Sequence, residues 1–241
     1  MKMDKYLRWF LALFFVMFLV IPTGATEYPS DGVLKWKGQT WDVRSEYGEP
    51  GPNYFNSSGA WIDNQNRMHL TVVKKNGKWY CTEIDSRNKF KYGTFTCTFA
   101  SPVCKYAKNS ICGMFTYLDD SQELDIELTK WDASSGNNIW YSIQPYSVTG
   151  NNKGFTSPSR MTGKDTTHII DWQPNYVRFT TKTSSGKVLA DFKYTNVACI
   201  PKNPEYLIFN VWLQGAPSDG KNIDLIISDF SYKPSISQRK N

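Results

Sequence analysis

The sequence predicts an all-β domain, a sandwich or a barrel, because strand-like runs recur along the chain and no helical pattern does. The runs alternate apolar with polar residues or are rich in β-branched and aromatic side chains. Turn-forming segments such as Lys75–Gly77 and Pro217–Gly220 separate them. Since no long linker or repeat interrupts the 241 residues, we expect one such domain. The predicted strands are Met68–Lys74, Trp79–Ile84, Gly93–Ala100, Cys112–Leu118, Glu123–Lys130, Ile139–Tyr146, Thr167–Trp172, Tyr176–Lys182, Val188–Tyr194, Tyr206–Leu213 and Ile223–Tyr232.

Composition restricts the chemistry that this chain can carry out. Aromatic residues make up 15% of the sequence and acidic residues number 22, but the only histidines are His69 and His168. A Ser/His/Asp triad or a zinc centre with several His ligands is therefore disfavoured. Without residues 1–25 the net charge falls from +6 to about +4. A balance that mild does not indicate nucleic-acid binding, which usually needs a concentrated basic patch, so we expect no nucleic-acid partner. Most aromatic side chains, Trp140 and Trp172 among them, are expected in the core.

Residues 1–25 have the features of a secretory signal. Three basic residues precede an apolar run, Trp9–Ile21, and small residues follow at Thr23–Ala25. The run of thirteen residues is shorter than the roughly 20 needed to span a bilayer. We therefore expect a secreted protein, free of the membrane after cleavage, with one domain over residues 26–235 and a tail over 236–241. An uncleaved membrane anchor is the alternative interpretation.

Export would allow disulfides among the five cysteines, although their odd number leaves at least one outside any pair. Cys104 and Cys112 flank a segment typical of a loop. Cys81 and Cys97 lie on predicted strands that follow each other in the sequence. We expect these two pairs, with Cys199 outside them, although spacing alone does not fix the connectivity.

The run Glu123–Leu128 places three acids on one face of a predicted strand. Side chains alternate along a strand, so Glu123, Asp125 and Glu127 share a face. The two Glu Cα atoms are then about 13 Å apart, and leaning side chains can bring the carboxyl groups to the roughly 5 to 5.5 Å of a retaining glycosidase. An acid between them would raise at least one pKa, as a general acid requires. A solvated acidic strand and a calcium site are the alternative interpretations.

Four segments of the chain match one set of family motifs in the same order. The run Glu123–Glu127 has the form E-x-D-x-E, and Asn210–Trp212 has the form N-x-W. Upstream, Cys81–Phe95 is similar to C-A-E-x-R-S followed by Y-G-x-Y/F. Downstream, His168–Val177 is similar to H-x-x-x-D-W-x-P-x-x-I, one residue shorter between His and Asp. Together these segments resemble glycoside hydrolase family 16, and in particular its lichenases, over about Trp36–Tyr232.

The resemblance implies a concanavalin A-like jelly-roll β-sandwich of two antiparallel sheets, one of which forms a concave groove for a long glycan. By position in the motif, Glu123 would be the nucleophile, Glu127 the acid/base and Asp125 a helper that coordinates their charges. The resemblance implies no required cofactor. Asp229 matches a position that binds a structural calcium ion in the family, and an ordinary edge aspartate is the equal alternative.

The same resemblance, with strand alternation, assigns the groove residues that would contact sugar. Trp212 would be a stacking platform, because sugar rings pack their C–H faces on flat aromatic surfaces. Asn210 and Glu83 would hydrogen-bond to sugar hydroxyls. Phe115 and Tyr117 lie two residues apart on a strand that should neighbour the acidic one, so they share a face.

Three departures from the lichenase pattern bear on substrate. The arginine that follows the upstream glutamate in the family is Asp85 here, although Arg87 lies two residues on. Lichenases have a tryptophan at the position of Ser121. They also have an earlier cysteine that pairs with the one matching Cys81, and the similar stretch Phe55–Ser58 has none.

The sequence therefore predicts a secreted, monomeric, retaining endo-glycosidase that hydrolyses β-glucan-type polysaccharide by double displacement. One alternative keeps the same site but transfers the glycosyl unit to another sugar, as a cell-wall transglycosylase does. The other alternative is a non-catalytic glycan-binding module.

Overall fold

The computed structural model describes residues 25–157 and 165–236, and it confirms the predicted all-β fold. The expected signal over residues 1–25, apart from Ala25, lies outside the described residues. In the described part, no helix is long and apolar enough to cross a membrane. The strands are β1 (Val33–Trp36), β2 (Gln39–Val43), β3 (Tyr47–Gly48), β4 (Asn53–Phe55), β5 (Ala60–Ile62), β6 (Met68–Lys75), β7 (Lys78–Phe90), β8 (Gly93–Phe99), β9 (Ser110–Asp119), β10 (Gln122–Leu128), β11 (Ile139–Ile143), β12 (Asn152–Phe155), β13 (Thr166–Gln173), β14 (Tyr176–Thr183), β15 (Val188–Tyr194), β16 (Glu205–Leu213) and β17 (Ile223–Pro234), with 3₁₀ turns at Ser57–Gly59 and Val103–Lys105.

The strands form two layers, as the predicted sandwich requires. One layer, which we call the site sheet, has the order β1-β2-β7-β16-β9-β10-β11-β12. The opposite sheet has the order β5-β6-β17-β8-β13-β14-β15. All of these pairings are antiparallel. The β6–β7 hairpin joins the two layers, and β4 adds to β7 in parallel.

Aromatic contacts between the layers form the core. Trp41 and Phe209 of the site sheet each lie 5.9 Å from Phe230 of the opposite sheet, centroid to centroid. Tyr141 stacks on Phe179 at 5.2 Å, and its hydroxyl donates to Thr181 Oγ1 at 2.8 Å. Because these groups face inward, the other face of the site sheet is left for a ligand.

All eleven predicted strands are present, and sequence reasoning missed β1 to β5 and β12. The missed strands have two to five residues each, too short to show an alternating pattern. The β1–β2 hairpin turns at Lys37 and Gly38, which both have positive φ angles of 49° and 74°. Lys37 is an uncommon residue for that conformation, so the turn carries no typical sequence signal.

The predicted disulfides are wrong, because none of the five cysteines is bonded to another. Cys81 lies on β7 of the site sheet and Cys97 on β8 of the opposite sheet. These strands follow each other in sequence, but the chain crosses between layers at residues 91–92. Cys104 is partly exposed in its 3₁₀ turn, whereas Cys112 is buried in β9. The Cys81 thiol instead donates to Asn53 Oδ1 at 3.4 Å.

One acidic residue lies on the core side of the site sheet. Glu205 at the start of β16 is fully buried and receives no ion pair from the described residues. Burial raises the pKa of Glu205 to about 8, a hydrogen bond with Thr116 opposes the shift, and the charge of Glu123 adds to it. The carboxyl group is therefore protonated in the folded protein at neutral pH.

We expect Glu205 to make the fold more stable in acid than in base. Its folded pKa lies above its unfolded one, so its contribution is complete below about pH 4.5 and is lost as the pH rises through about 8. The free energy of unfolding of the wild type should fall between about pH 5 and about pH 8.5. In Glu205→Gln this fall should be smaller by about 3 to 5 kcal/mol. Denaturant titrations at both pH values measure this. The exposed-turn variant Asp31→Asn should keep the wild-type slope, and an unchanged slope in Glu205→Gln would refute the assignment.

Candidate active site

The three acids of β10 share the outward face of the site sheet, as predicted. Leu124, Ile126 and Leu128 point into the core and alternate with them. Because β10 is paired on both edges, with β9 and β11, the acidic side chains cannot move apart by bending the strand.

Each acid has a defined neighbour on β9. Glu123 is opposite Tyr117, Asp125 opposite Phe115, and Glu127 opposite Gly113. β16 adds the next row, with Tyr206 opposite Tyr117, Ile208 opposite Phe115 and Asn210 opposite Gly113. Glu83 of β7 is in turn opposite Asn210. The antiparallel registers thus assemble one continuous outward surface from four strands.

This surface is the floor of an open groove of about 990 Å³. All of the residues predicted for catalysis and sugar contact line this groove. They are Glu123, Asp125, Glu127, Trp212, Asn210, Glu83, Tyr117 and Phe115. The metal candidate Asp229 is not among the lining residues. A groove of this size suits several sugar rings in a row.

Burial and mutual repulsion shift the pKa values of the three acids upward. Burial, and then the charge of Glu123, raises the pKa of Glu127 to about 8. Burial and the charges of Glu123, Glu127 and Glu205 raise the pKa of Asp125 well above its ordinary value. Asp125 is hydrogen-bonded to Glu123, which offsets part of the rise that burial causes in the pKa of Glu123. Burial and the charge of Glu123 therefore keep Glu127 protonated at neutral pH.

A second row of polar groups crosses the groove beside Glu127. Gly113 carries no side chain, and a Cβ atom there would lie 2.4 Å from Asn210 Oδ1. Asn210 is almost fully buried, and its Nδ2 donates to Glu83 Oε2 at 3.0 Å, while its Oδ1 has no partner among the described residues. Gly113 thus leaves space for an acceptor that faces the groove.

Sequence reasoning missed Arg44, which holds Glu83 in place. Arg44 is the residue that follows β2. Its guanidinium donates to Glu83 Oε1 at 2.9 Å and lies over the Phe55 ring at 4.2 Å. Arg87, two residues beyond Asp85, also lines the groove and pairs with Asp42 at 2.8 Å. No motif surrounds Arg44. Its proximity to Glu83 arises from the pairing of β2 with β7, which the sequence does not show.

The aromatic predictions divide between groove and core. Trp212 lines the groove and contacts Trp131 edge to face at 5.9 Å. Trp172 is fully buried in the core, as predicted. Trp140 was expected in the core too, and this is wrong, since it is partly exposed and opposite Glu127 on the outward face. The alternation of β11 puts Tyr141 inside instead.

The metal candidate Asp229 is engaged in an ion pair. Its carboxylate pairs with Lys37 Nζ at 2.8 Å, and within the described ranges no group of three His, Cys, Asp or Glu side chains could hold a metal ion. Both histidines lie outside the groove. His69 bridges Asp63 and Asp224, and His168 is fully buried.

Comparison with known families identifies the family to which the chain belongs. The family "Glycosyl hydrolases family 16" matches residues 52–226, which is most of the chain and includes β10. The chain belongs to glycosyl hydrolase family 16. It is therefore a glycoside hydrolase. No curated protein matches the chain.

Solved structures of the same fold are distant in sequence. The chain is similar to the β-glucanase of Bacillus licheniformis, with 18% identity and a TM-score of 0.66 over 88% of this chain and 100% of that one. It is similar to a lichenase from a mouse hindgut metagenome, with 18% identity and a TM-score of 0.61 over the same shares. A laminarinase from Flavobacterium sp. UMI-01 gives 16% identity and a TM-score of 0.62 over 80% and 92% of the two chains. The jelly-roll arrangement is conserved at these low identities.

We expect the charge of Glu123 to be measurable in the titration of Glu127. Carbon-13 NMR of labelled glutamate carboxyls should show Glu127 titrating near pH 8 in the wild type and at lower pH in Glu123→Gln, because the repulsive charge is gone. Asp120→Asn is the matched control, since Asp120 raises the pKa of Glu123 but contributes nothing to that of Glu127. An unshifted Glu127 in Glu123→Gln would show that burial alone sets its pKa.

Proposed function

We propose that this protein is an exported, retaining, endo-acting hydrolase of β-glucan-type polysaccharide. The observation that carries the proposal is the placement of Glu123 and Glu127 on one face of β10 in an open groove, with the pKa of Glu127 raised to about 8. The solved relatives include a β-glucanase, a lichenase and a laminarinase, which supports a β-glucan as substrate. The apolar run Trp9–Ile21 supports export.

The reaction has two displacements at the anomeric carbon. The Glu123 carboxylate attacks that carbon, while Glu127 donates its proton to the leaving glycosidic oxygen. The result is a glycosyl ester on Glu123 and a shortened chain with a free hydroxyl group. Glu127, now ionised, removes a proton from water, which attacks the same carbon and releases Glu123. Two inversions give net retention of configuration.

Asp125 controls the charge of the nucleophile in this scheme. Its proton is shared with Glu123, so the ionised nucleophile has a hydrogen-bond donor beside it and not a second negative charge. When Glu123 becomes a neutral ester, that stabilisation is no longer needed. Asp125 therefore favours the ionised form of the free enzyme and of the leaving nucleophile in the second step.

The first test is removal of each carboxylate. Glu123→Gln and Glu127→Gln should each reduce turnover of mixed-linkage β-glucan by about 10³-fold or more, since each removes a group that acts on the reacting atoms. Reducing-sugar assays measure this, and proton NMR of the first products should show the β anomer. Circular dichroism shows whether the variants stay folded. Wild-type protein that binds glucan without cleaving it would identify a binding module, and lengthening of a labelled acceptor would identify a transglycosylase.

The second test concerns the space above Gly113. In Gly113→Ala, the new methyl group would collide with Asn210 Oδ1 and push this side chain away from Glu83. We expect kcat/KM on β-glucan to fall about tenfold or more, the size of a lost polar contact in a buried site. Gly77→Ala is a control for glycine replacement outside the groove, because a Cβ there meets no atom within 4 Å, although its φ of 81° adds backbone strain. Equal losses in both variants would show that stability alone had changed.

A further inference from the structure

The groove and the whole chain carry opposite charge. The full sequence has a formal net charge of +6. Of the described residues that line the groove, nine are acidic and two are arginines. Both arginines are engaged by carboxylates, Arg44 by Glu83 and Glu46 and Arg87 by Asp42. The described lining of the groove therefore has no unengaged cation to offer an anionic ligand.

Asp85 is a groove carboxylate with an oxygen that no described residue contacts by a hydrogen bond. It lies on β7 between Asp42 of β2 and Ile208 of β16, two residues from Glu83 on the same outward face. Its Oδ1 is shielded from solvent and has no hydrogen-bond partner among the described residues. Burial and the charges of Glu83 and Asp42 raise the pKa of Asp85 to about 7, with Arg44 opposing the shift.

The neighbours of Asp85 cannot neutralise it. Both oxygens of Glu83 are occupied, by Arg44 Nη1 and by Asn210 Nδ2. Asp42 takes three hydrogen bonds from the Arg87 guanidinium. Among the described residues on this side of the groove, the atoms without a hydrogen-bond partner are Oδ1 of Asp85 and Oδ1 of Asn210. The Asn210 oxygen can only accept, and the Asp85 oxygen can donate only when the carboxyl group is protonated.

We propose that Asp85 is a specificity-determining residue, which accepts a hydrogen bond from a sugar hydroxyl and selects neutral glycans over those that carry carboxylate or sulfate groups. This inference rests on the proposed function and names the substrate class of the same groove. A neutral glycan offers hydroxyl donors to the Asp85 carboxylate, which lines the groove. Above about pH 7, where Asp85 is ionised, an anionic substituent at this position meets a carboxylate in a partly desolvated groove, where like charges repel more strongly than in water.

The test compares one polymer with and without charge. The substrates are a soluble β-glucan and the same glucan with a fraction of its C6 hydroxyls oxidised to carboxylates. For wild type, Asp85→Asn, Asp85→Arg and Asp31→Asn, we measure kcat/KM on each, and binding to each by affinity electrophoresis. Asp31→Asn makes the same change in net charge on an exposed turn, at a φ of 51° that asparagine also adopts.

The wild type should prefer the neutral polymer. Asp85→Asn should reduce that preference about fivefold, Asp85→Arg should reduce it further, and Asp31→Asn should leave it unchanged. Added salt should reduce the preference of the wild type more than that of Asp85→Asn. Asp85→Asn is nearly isosteric, so its result stands if Asp85→Arg does not fold.

Two outcomes are distinguishable. A preference that is the same in wild type and Asp85→Asn, by rate and by binding, would overturn the role of Asp85. If the wild type cleaves neither polymer, the proposed hydrolase is overturned. The ratio of binding to the two polymers would then still decide whether Asp85 selects neutral glycans.

Discussion

Full pairing of β10 on both edges is the constraint on which the site depends. A strand held between two neighbours can turn its side chains only toward one face or the other, so three carboxyl groups stay in one row. Like charges in such a row destabilise the fold. Leu124, Ile126 and Leu128 are all buried on the reverse face of the same strand, and their burial offsets that cost. One face of β10 thus packs in the core, and the other face carries the acids of the candidate site.

Among the described residues, no cation pairs with this row. Both groove arginines are bound to other carboxylates, so Glu123, Asp125 and Glu127 receive no ion pair from the described residues. Desolvation raises the pKa of each acid, and the charge of Glu123 adds to the rise for Asp125 and for Glu127, whose pKa reaches about 8. A salt bridge to Glu127 would have lowered that pKa, and the proposed reaction needs Glu127 as a proton donor. The titration of the row therefore depends on which positive groups lie near it as much as on the acids.

Sequence reasoning predicted the features that follow from the alternation of side chains along one strand. It missed the features that depend on which strands are neighbours in the sheet. The alternation of Glu123 with Leu124 is local, so the acidic row and its core face followed directly. The position of β16 between β7 and β9 joins segments about 100 residues apart, and only the tertiary fold brings Asn210 beside Gly113. The error over Cys81 and Cys97 has the same origin. Consecutive strands were taken to be neighbours, but this chain places them in different layers.

Asp85 stands where the family pattern has an arginine, and the polar groups around it are arranged accordingly. Arg44 reaches Glu83 from β2 and, together with Asn210, occupies both of its oxygens. Glu83 is therefore rigidly held and has less capacity left to accept from a ligand. The unmet acceptors are Oδ1 of Asn210 and Oδ1 of Asp85, which lie on adjacent strands and flank the Glu83 position. Under the proposed function, a groove that keeps the acidic row of β10 but has an acceptor in place of a donor at this point would retain the bond-breaking chemistry and change which sugars it can hold.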